Sequence, residues 1–222
     1  MLARQLLAEF LGTTLLLATV VGSGVMGVAL SHGNDGIALL ANATATTGVL
    51  YVLIATLGPI SGAHFNPAVT LTLRLRGEIG NAAALAFVLT QIAAAVCGVL
   101  LAHAMFGLPL IQPGVHERSG AAQWLSEGVA TFGLVLTILL GARFRAAAIP
   151  ALVASYIFAA YWFTASTSFA NPAVTLARSL TQTFAGIRPD DVLGFVLAQL
   201  VGALVAVGAC AVLVEPQDRP TA

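Results

Sequence analysis

Two copies of one hexapeptide, Asn-Pro-Ala-Val-Thr-Leu, hold the side chains with the clearest chemical potential in this chain. They occupy residues 66–71 and 171–176. Asparagine is a preferred helix N-cap and proline is favoured at the first helical position, so each copy predicts a short helix that begins at its asparagine. A capping asparagine still has amide N–H groups to donate, and a helix N-terminus carries about half a positive charge. Together the two copies predict a site that accepts uncharged hydroxylated molecules and repels cations.

The composition places these short helices in a membrane. Of the 222 residues, 59% are hydrophobic and 8% are charged, whereas a soluble domain carries about a quarter charged residues. All nine basic residues are arginine and the net charge is zero, which argues against nucleic acid as a partner. Cys97 and Cys210 lie in apolar runs and are expected to be small packing residues. No cofactor or metal site is expected.

Six apolar segments are long enough to cross a bilayer, which takes about 20 helical residues. They cover residues 5–30, 37–58, 81–106, 122–141, 147–165 and 190–213. The first segment is too long for a signal-peptide core and contains Glu9, so we interpret it as a retained span. The segments after Asn66 and Asn171 are too short to cross. The prediction is an all-α membrane protein with six transmembrane helices and two re-entrant half-helices, followed by a disordered tail at 215–222.

The chain is expected to be one channel domain built as an inverted internal repeat. Residues 1–115 form the first repeat and residues 116–222 form the second, each with one half-helix. Because three spans separate the hexapeptides, the half-helices enter from opposite sides and their asparagines meet near the midplane. If both termini lie in the cytoplasm, six arginines are on the cytoplasmic side and three are outside. Positive residues are in excess on the cytoplasmic side of membrane proteins, so this count favours cytoplasmic termini.

Carboxylates in the spans have two possible roles. Glu9 and Glu127 stand at matching places in the two halves, and intramembrane carboxylates are functional by default. Each could be a proton or ion site of a coupled transporter, or could accept hydrogen bonds from the irregular loop of its own half. The matching positions favour the scaffold role. A scaffold role, through hydrogen bonds between spans, is also expected for two glutamines: Gln91 and Gln199.

The irregular loops at 61–65 and 166–170 are expected to line the path between the half-helices. Such backbone persists at membrane depth only where it is buried or lines a wet cavity. Three side chains in these loops are predicted to line the pore: His64, Phe65 and Phe169. For His64 a hydrogen-bonded structural role is favoured over a pH sensor. Carbonyls, amides and two positive helix ends favour a passive pore for neutral solutes that excludes protons.

The paired motifs, the six spans and a glutamate in spans one and four resemble the aquaporin, or major intrinsic protein, family. The motif residues that carry this resemblance are Asn66, Pro67, Ala68, Asn171, Pro172 and Ala173. The resemblance covers essentially the whole chain. It implies the hourglass fold, a homotetramer with one pore per subunit, and a selectivity filter of four residues outside the midplane. It also implies a channel, and the sequence shows no nucleophile–base grouping that would indicate an enzyme.

Val174 departs from the pattern of this family. Most members have arginine after the second Asn-Pro-Ala, and this chain has valine. Counting from the motifs, the resemblance puts the other filter positions at Thr46, Ala159 and Ser168. The change removes bulk, a permanent charge and a rigid fork of donors. We therefore expect a wider pore with weaker discrimination by size and charge.

One arginine could compensate for Val174. Arg178 lies one helical turn further on the same face and could restore a positive charge at the outer mouth. Arg74 also ends its half-helix, so anchoring at the helix dipole and interface is the favoured role for both arginines. An interfacial belt is likewise expected of three aromatic residues at the outer end of span five: Tyr161, Trp162 and Phe163.

The second Asn-Pro-Ala, with Val174 in place of arginine and continuing Thr-Leu-Ala-Arg-Ser-Leu, resembles the aquaglyceroporins of bacterial arsenic-resistance clusters. That resemblance implies passage of neutral arsenite and related methylated arsenicals across a bacterial inner membrane. The pore chemistry alone would equally admit water, glycerol or urea. A general glycerol facilitator with weak water transport is therefore the alternative within this class. Two alternatives belong to other classes of protein: a proton-coupled transporter that uses Glu9 or Glu127, and a structural membrane scaffold.

Overall fold

The computed structural model describes residues 1–214, and eight α-helices account for most of them. These are α1 (Leu2–Ser31), α2 (Asp35–Ser61), α3 (Pro67–Leu75), α4 (Asn81–Met105), α5 (Ala121–Phe144), α6 (Ile149–Phe163), α7 (Pro172–Arg178) and α8 (Val192–Leu213). Short 3-10 turns at Ala146–Ala148 and Pro189–Asp191 lead into α6 and α8. The tail at 215–222, predicted to be disordered, lies outside the described residues. The predicted all-α fold with six spans and two shorter helices is confirmed.

Six of the described helices are long and apolar enough to cross a membrane, and α2 differs most from its predicted bounds. It begins at Asp35, where the side chain of Asn34 accepts a hydrogen bond from the Ile37 amide at 3.1 Å. Pro59 does not end the helix, which runs on to Ser61. Ser61 therefore belongs to the helix and not to the loop in which the sequence placed it.

The two halves of the chain repeat one order of elements: two long helices, a short helix and a long helix. In the first half α1 packs against α2 and α4, and in the second half α5 packs against α6 and α8. The halves meet where α2 packs against α6 and where each short helix packs against long helices of the other half. The short helices thus lie between the two groups of long helices.

Glycines let the helix pairs approach closely. A Cβ atom at Gly98 of α4 would lie 2.4 Å from the Thr14 carbonyl oxygen of α1. In the other half a Cβ atom at Gly202 of α8 would lie 2.2 Å from the Gly128 carbonyl oxygen of α5. Small residues allow such backbone contact in membranes, where helix association relies on close packing.

The two cysteines differ in burial. Cys210 is buried and packs with residues of α5, as a small packing residue should. Cys97 is exposed on α4, so the predicted packing role is wrong for that residue within this chain. An apolar run marks the lipid-facing side of a membrane helix as strongly as its packed side, and so the sequence could not separate the two.

Gly202→Ala should destabilise the protein, whereas Gly208→Ala on the same helix should not. The added methyl group at 202 overlaps the α5 backbone, and overpacking typically costs about 1–3 kcal/mol. At 208 no atom lies within 4 Å of the added group. The measurement is thermal unfolding of both variants in the same detergent. Equal midpoints for the two variants would contradict the packing described here.

Candidate pore

Both short helices begin at the asparagine of a hexapeptide. The side-chain oxygen of Asn66 accepts from the Ala68 amide at 2.9 Å. That of Asn171 accepts from the amides of Ala173 at 3.0 Å and Val174 at 3.3 Å. Pro67 and Pro172 occupy the first helical positions, where a missing amide hydrogen costs nothing. Each motif therefore creates a helix N-terminus inside the fold.

The two asparagines also tie the halves together. The Asn66 amide nitrogen donates to the Ala170 carbonyl at 2.7 Å, and the Asn171 amide nitrogen donates to the Phe65 carbonyl at 2.8 Å. The helix tips therefore meet. Each side-chain amide has two hydrogens, of which one is committed to the opposite loop and the other makes no hydrogen bond with the described residues.

The loops before the motifs have an unusual backbone. Non-glycine residues have positive φ at Ala63 (49°) and Phe65 (49°), and at Thr167 (61°), Ser168 (53°) and Ala170 (48°). Such conformations cost roughly 1–3 kcal/mol each and persist where surrounding contacts fix them. Their presence in both loops shows that both segments are held by their surroundings.

In the first half the holding group is Glu9, which is fully buried. One carboxylate oxygen accepts from the Ser61 hydroxyl at 2.7 Å and the His64 amide at 2.9 Å. The other accepts from the Phe65 amide at 2.7 Å and the Gln91 side chain at 2.8 Å. The carboxylate therefore gathers the loop amides and links them to α4.

In the second half the fully buried Glu127 has the same task. It accepts from the amides of Phe169 and Ala170, both at 2.9 Å, and from the Gln199 side chain at 2.6 Å. Gln199 also donates to Thr175 on α7 at 2.8 Å. These contacts are those of the scaffold role, and they leave neither carboxylate facing the path as a free proton site.

The His64 side chain has both a hydrogen bond and a place in the cavity wall. Its Nδ1 lies 3.0 Å from the Thr70 hydroxyl, and its ring packs 5.1 Å from that of Phe87. Thr70 donates to the Asn66 carbonyl at 3.1 Å, which joins the histidine to the motif. The hydrogen-bonded role that the sequence favoured fits these contacts.

A cavity of about 120 Å³ lies along the meeting point of the half-helices. Its lining includes the two asparagines and all three loop residues predicted to line the pore: His64, Phe65 and Phe169. Aliphatic side chains from both halves also line the cavity, among them Leu50, Ile54 and Leu134. The lining therefore combines groups that can hydrogen-bond a solute with groups that cannot.

Three of the four predicted filter residues line this cavity: Thr46, Ser168 and Val174. Ala159 does not, since it is exposed on the outside of α6. The α6 residues in the cavity wall are Val153, Ile157 and Tyr161. They recur every four residues, as one helix face requires, and Ala159 lies two residues off that face.

Tyr161 therefore lines the cavity from α6, and Ala159, which the sequence placed there, does not. Tyr161 is buried, which also corrects its assignment to an interfacial belt, whereas Trp162 and Phe163 are exposed as predicted. The four-residue spacing of Val153, Ile157 and Tyr161 was the signal that could have found it.

Arg178 is buried in the same cavity wall and does not anchor an interface. Its guanidinium carbon lies 3.3 Å from the centre of the Phe169 ring, and its Nε donates to the Ala185 carbonyl. Arg74 is different, because it is partly exposed and donates to Asn81. The shared interfacial role that the sequence favoured is therefore wrong for Arg178.

A second arginine, Arg118, forms hydrogen bonds with the loops on either side of the outer half-helix. The Arg118 amide donates to the Asp191 carboxylate at 2.8 Å. Its side chain donates to the carbonyls of Gly186 at 2.9 Å and Ser166 at 3.3 Å. The guanidinium carbon lies 5.1 Å from the Phe169 ring. The outer half-helix and its loops thus form one hydrogen-bonded unit around Phe169.

Comparisons of sequence and structure decide the family. Residues 1–162 match the family described as Major intrinsic protein. Over 215 residues the chain is 56% identical to the aquaglyceroporin AqpS of Rhizobium meliloti (strain 1021), covering 97% of this chain and 92% of that protein. The chain belongs to the major intrinsic protein family. As a major intrinsic protein of the aquaglyceroporin type it is a multi-pass membrane channel and not an enzyme, as predicted.

More distant major intrinsic proteins match less of the chain or share only its fold. Aquaporin PIP2-7 of Arabidopsis thaliana is 32% identical over 146 residues, which cover 61% of this chain and 50% of that protein. The crystal structure of the aquaglyceroporin from Plasmodium falciparum superimposes with a TM-score of 0.72 over 98% of this chain and 99% of the other, at 19% identity. The hourglass fold is thus shared at low sequence identity.

Glu127→Gln should weaken the fold and reduce the flux of all solutes together. A glutamine presents an NH2 group where two loop amides need acceptors, and each unsatisfied buried donor costs about 1–3 kcal/mol. The measurements are thermal unfolding in detergent and solute flux in proteoliposomes. Glu117→Gln is the control, because Glu117 is exposed on the outer loop.

A different result would support a coupled transporter. In that case Glu127→Gln would melt like the native protein and lose only the part of the flux that follows a pH gradient.

Proposed function

We propose that this chain is a passive channel for small uncharged solutes, with neutral arsenite and related methylated arsenicals as its principal cargo and water and glycerol-like solutes as further cargo. The observation that carries the proposal is Val174. It lines the cavity directly after the second Asn-Pro-Ala motif, where most of the family has arginine. A valine leaves more room at this point and offers no donor, so a solute wider than water can pass.

The kind of solute follows from the mixture of polar and aliphatic groups in the cavity lining. Arsenite, As(OH)3, is uncharged near neutral pH and is close to glycerol in size. Its hydroxyls can exchange water for the free amide hydrogens of Asn66 and Asn171, while its other side faces aliphatic groups. A cation would meet two positive helix ends and lose hydration there. The similarity to a protein named aquaglyceroporin supports the glycerol-like class.

The passive mechanism is supported by the buried carboxylates. Glu9 and Glu127 each accept hydrogen bonds from two loop amides and from one glutamine, so their oxygens are already engaged as acceptors. A proton carrier would have to give up these bonds in each cycle. We therefore favour a pore over a proton-coupled transporter, and a cavity lined by residues of both motifs favours a pore over a structural scaffold.

We further propose that the repeats at residues 1–115 and 116–222 lie inverted in the inner membrane of a bacterium, with both termini in the cytoplasm. Three spans separate the half-helices, which supports entry from opposite sides. The assembly proposed is a homotetramer with one pore per subunit.

Val174→Arg should reduce arsenite and glycerol flux much more than water flux. The guanidinium narrows the path and adds fixed donors that suit water. Fluxes are measured in proteoliposomes by light scattering and by arsenic uptake. Val174→Leu adds bulk without charge and is the control that separates the two effects.

Unchanged arsenite and glycerol fluxes in Val174→Arg would contradict the filter assignment. Liposomes that stay impermeable to every neutral solute with the native protein would contradict the channel proposal as a whole.

A further inference from the structure

The second repeat has a long loop after its half-helix that the first repeat lacks. The half-helix α3 is joined to α4 by residues 76–80, whereas α7 is joined to the last span by residues 179–191. The extra length forms a loop, 179–187, that folds back onto the end of α7. There the Ile187 amide donates to the Arg178 carbonyl at 3.2 Å. The outer half-helix is therefore followed by a segment that needs contacts of its own.

Two carbonyls of this loop hold the arginines beside Phe169. The Ala185 carbonyl accepts from the Nε of Arg178, and the Gly186 carbonyl accepts from the Nε of Arg118 at 2.9 Å. The two guanidinium carbons lie 3.3 Å and 5.1 Å from the centre of the Phe169 ring, which lines the cavity. The position of the loop therefore sets the position of both arginine side chains at this end of the cavity.

The loop is held near its start by a histidine of the first repeat. His103, close to the end of α4, is fully buried. Its Nε2 lies 2.7 Å from the Thr181 hydroxyl, which lies 2.9 Å from the Thr183 hydroxyl. Its Nδ1 lies 2.7 Å from the Leu110 carbonyl oxygen, in the loop that follows α4. One imidazole ring therefore joins the loops of the two repeats.

The partners of the ring fix the direction of these hydrogen bonds. A carbonyl oxygen can only accept, so Nδ1 carries the hydrogen and donates to Leu110. The Nε2 atom of the neutral ring is then an acceptor and takes the hydrogen of the Thr181 hydroxyl. The Thr181 oxygen in turn accepts from the Thr183 amide at 3.3 Å. Both ring nitrogens of this buried histidine therefore have a partner, as buried polar groups require.

The residue that His103 holds is next to the carbonyls that hold the arginines. A Cβ atom at Gly186 would lie 2.4 Å from the Thr181 carbonyl oxygen, and the Gly186 amide donates to the Thr183 carbonyl at 2.8 Å. Thr181 and Gly186 therefore belong to one tight turn. A displacement of Thr181 moves Gly186 as well, because closely packed atoms transmit strain to each other.

The histidine and the long loop occur together only once. Gln91 and Gln199 stand at matching places in the two halves, and His103 follows Gln91 as Ala211 follows Gln199, by twelve residues. The second repeat therefore has no histidine at this place. The first repeat has only the short link at 76–80 after its half-helix, so there is no long loop for such a histidine to hold.

We propose that His103 is a positioning residue for solute discrimination and that it acts through its hydrogen bond to Thr181. This bond fixes the turn whose carbonyls hold Arg178 and Arg118 beside Phe169. Without the bond the turn and both arginine side chains gain freedom, and this end of the cavity admits wider solutes. The inference rests on the proposed function, because discrimination between solutes exists only if the cavity conducts.

Two amide side chains separate the roles of the two ring nitrogens. The side-chain nitrogen of asparagine reaches the place of Nδ1, and the side-chain amide of glutamine reaches the place of Nε2. His103→Asn therefore keeps the bond to Leu110 and loses the bond to Thr181, and His103→Gln does the reverse. The control is His32→Asn, because His32 is exposed in the link between α1 and α2.

Two quantities are measured: the thermal unfolding midpoint in detergent, and the ratio of pentaerythritol flux to glycerol flux in proteoliposomes. Pentaerythritol is also an uncharged polyol, and its quaternary carbon makes it wider than glycerol. His103→Asn should raise this ratio several-fold, whereas His103→Gln should keep the native ratio. Both variants lose one hydrogen bond of a buried ring, so their midpoints should fall by similar amounts. His32→Asn should match the native protein in both quantities.

The partner residue gives a second pair of variants. Thr181→Val removes the hydroxyl and should raise the flux ratio as His103→Asn does. Thr181→Ser keeps the hydroxyl and should keep the native ratio. A ratio that differs between two variants of equal stability reports the bond itself, because a purely structural role would affect both variants alike.

A native flux ratio in His103→Asn would overturn the inference and leave the channel proposal intact. Equal ratios in His103→Asn and His103→Gln would also overturn it, since the effect would then follow from lost stability. If His103→Asn does not fold, Thr181→Val decides: a native ratio in that variant overturns the inference. A native protein that conducts no glycerol overturns the channel proposal itself, and the inference with it.

Discussion

Backbone that stops in the middle of a membrane must find hydrogen-bond partners within the protein, because the lipid offers none. Here the two interrupted segments satisfy each other. Each motif asparagine donates to a carbonyl of the opposite loop, and a buried glutamate collects the amides of each loop. These bonds hold the two strained loops in place on either side of the point where the asparagines meet, and the cavity lies along that point.

The same hydrogen bonds explain how two carboxylates can be buried in the fold, and they also hold those carboxylates in place. A carboxylate buried among apolar helices is stabilised by the donors it gathers, and the donors are fixed by the carboxylate. Glu9 and Glu127 each reach a glutamine on the last helix of their half, and through it a threonine on the half-helix. Each carboxylate therefore fixes the geometry of the loop in its own half.

The inverted arrangement makes two similar segments unequal. Val69 and Leu73 give the inner half-helix an aliphatic pore face, while Val174 and Arg178 give the outer one a short residue followed by a cation. The ring of Phe169 supports that cation at 3.3 Å. A wide point and a positive point are thus separated by one helical turn, roughly 6 Å along the axis.

The sequence by itself determined what depends on neighbouring residues. Asparagine is a preferred helix N-cap and proline is favoured at the next position, so the half-helices and their meeting point were predictable, as were six spans. The tertiary structure decided which side of a helix faces the path. Ala159 proved to be exposed and Tyr161 to be buried, and Arg178 turned inward where Arg74 did not. In a membrane protein both faces of a span are apolar, so only packing against the other helices distinguishes them.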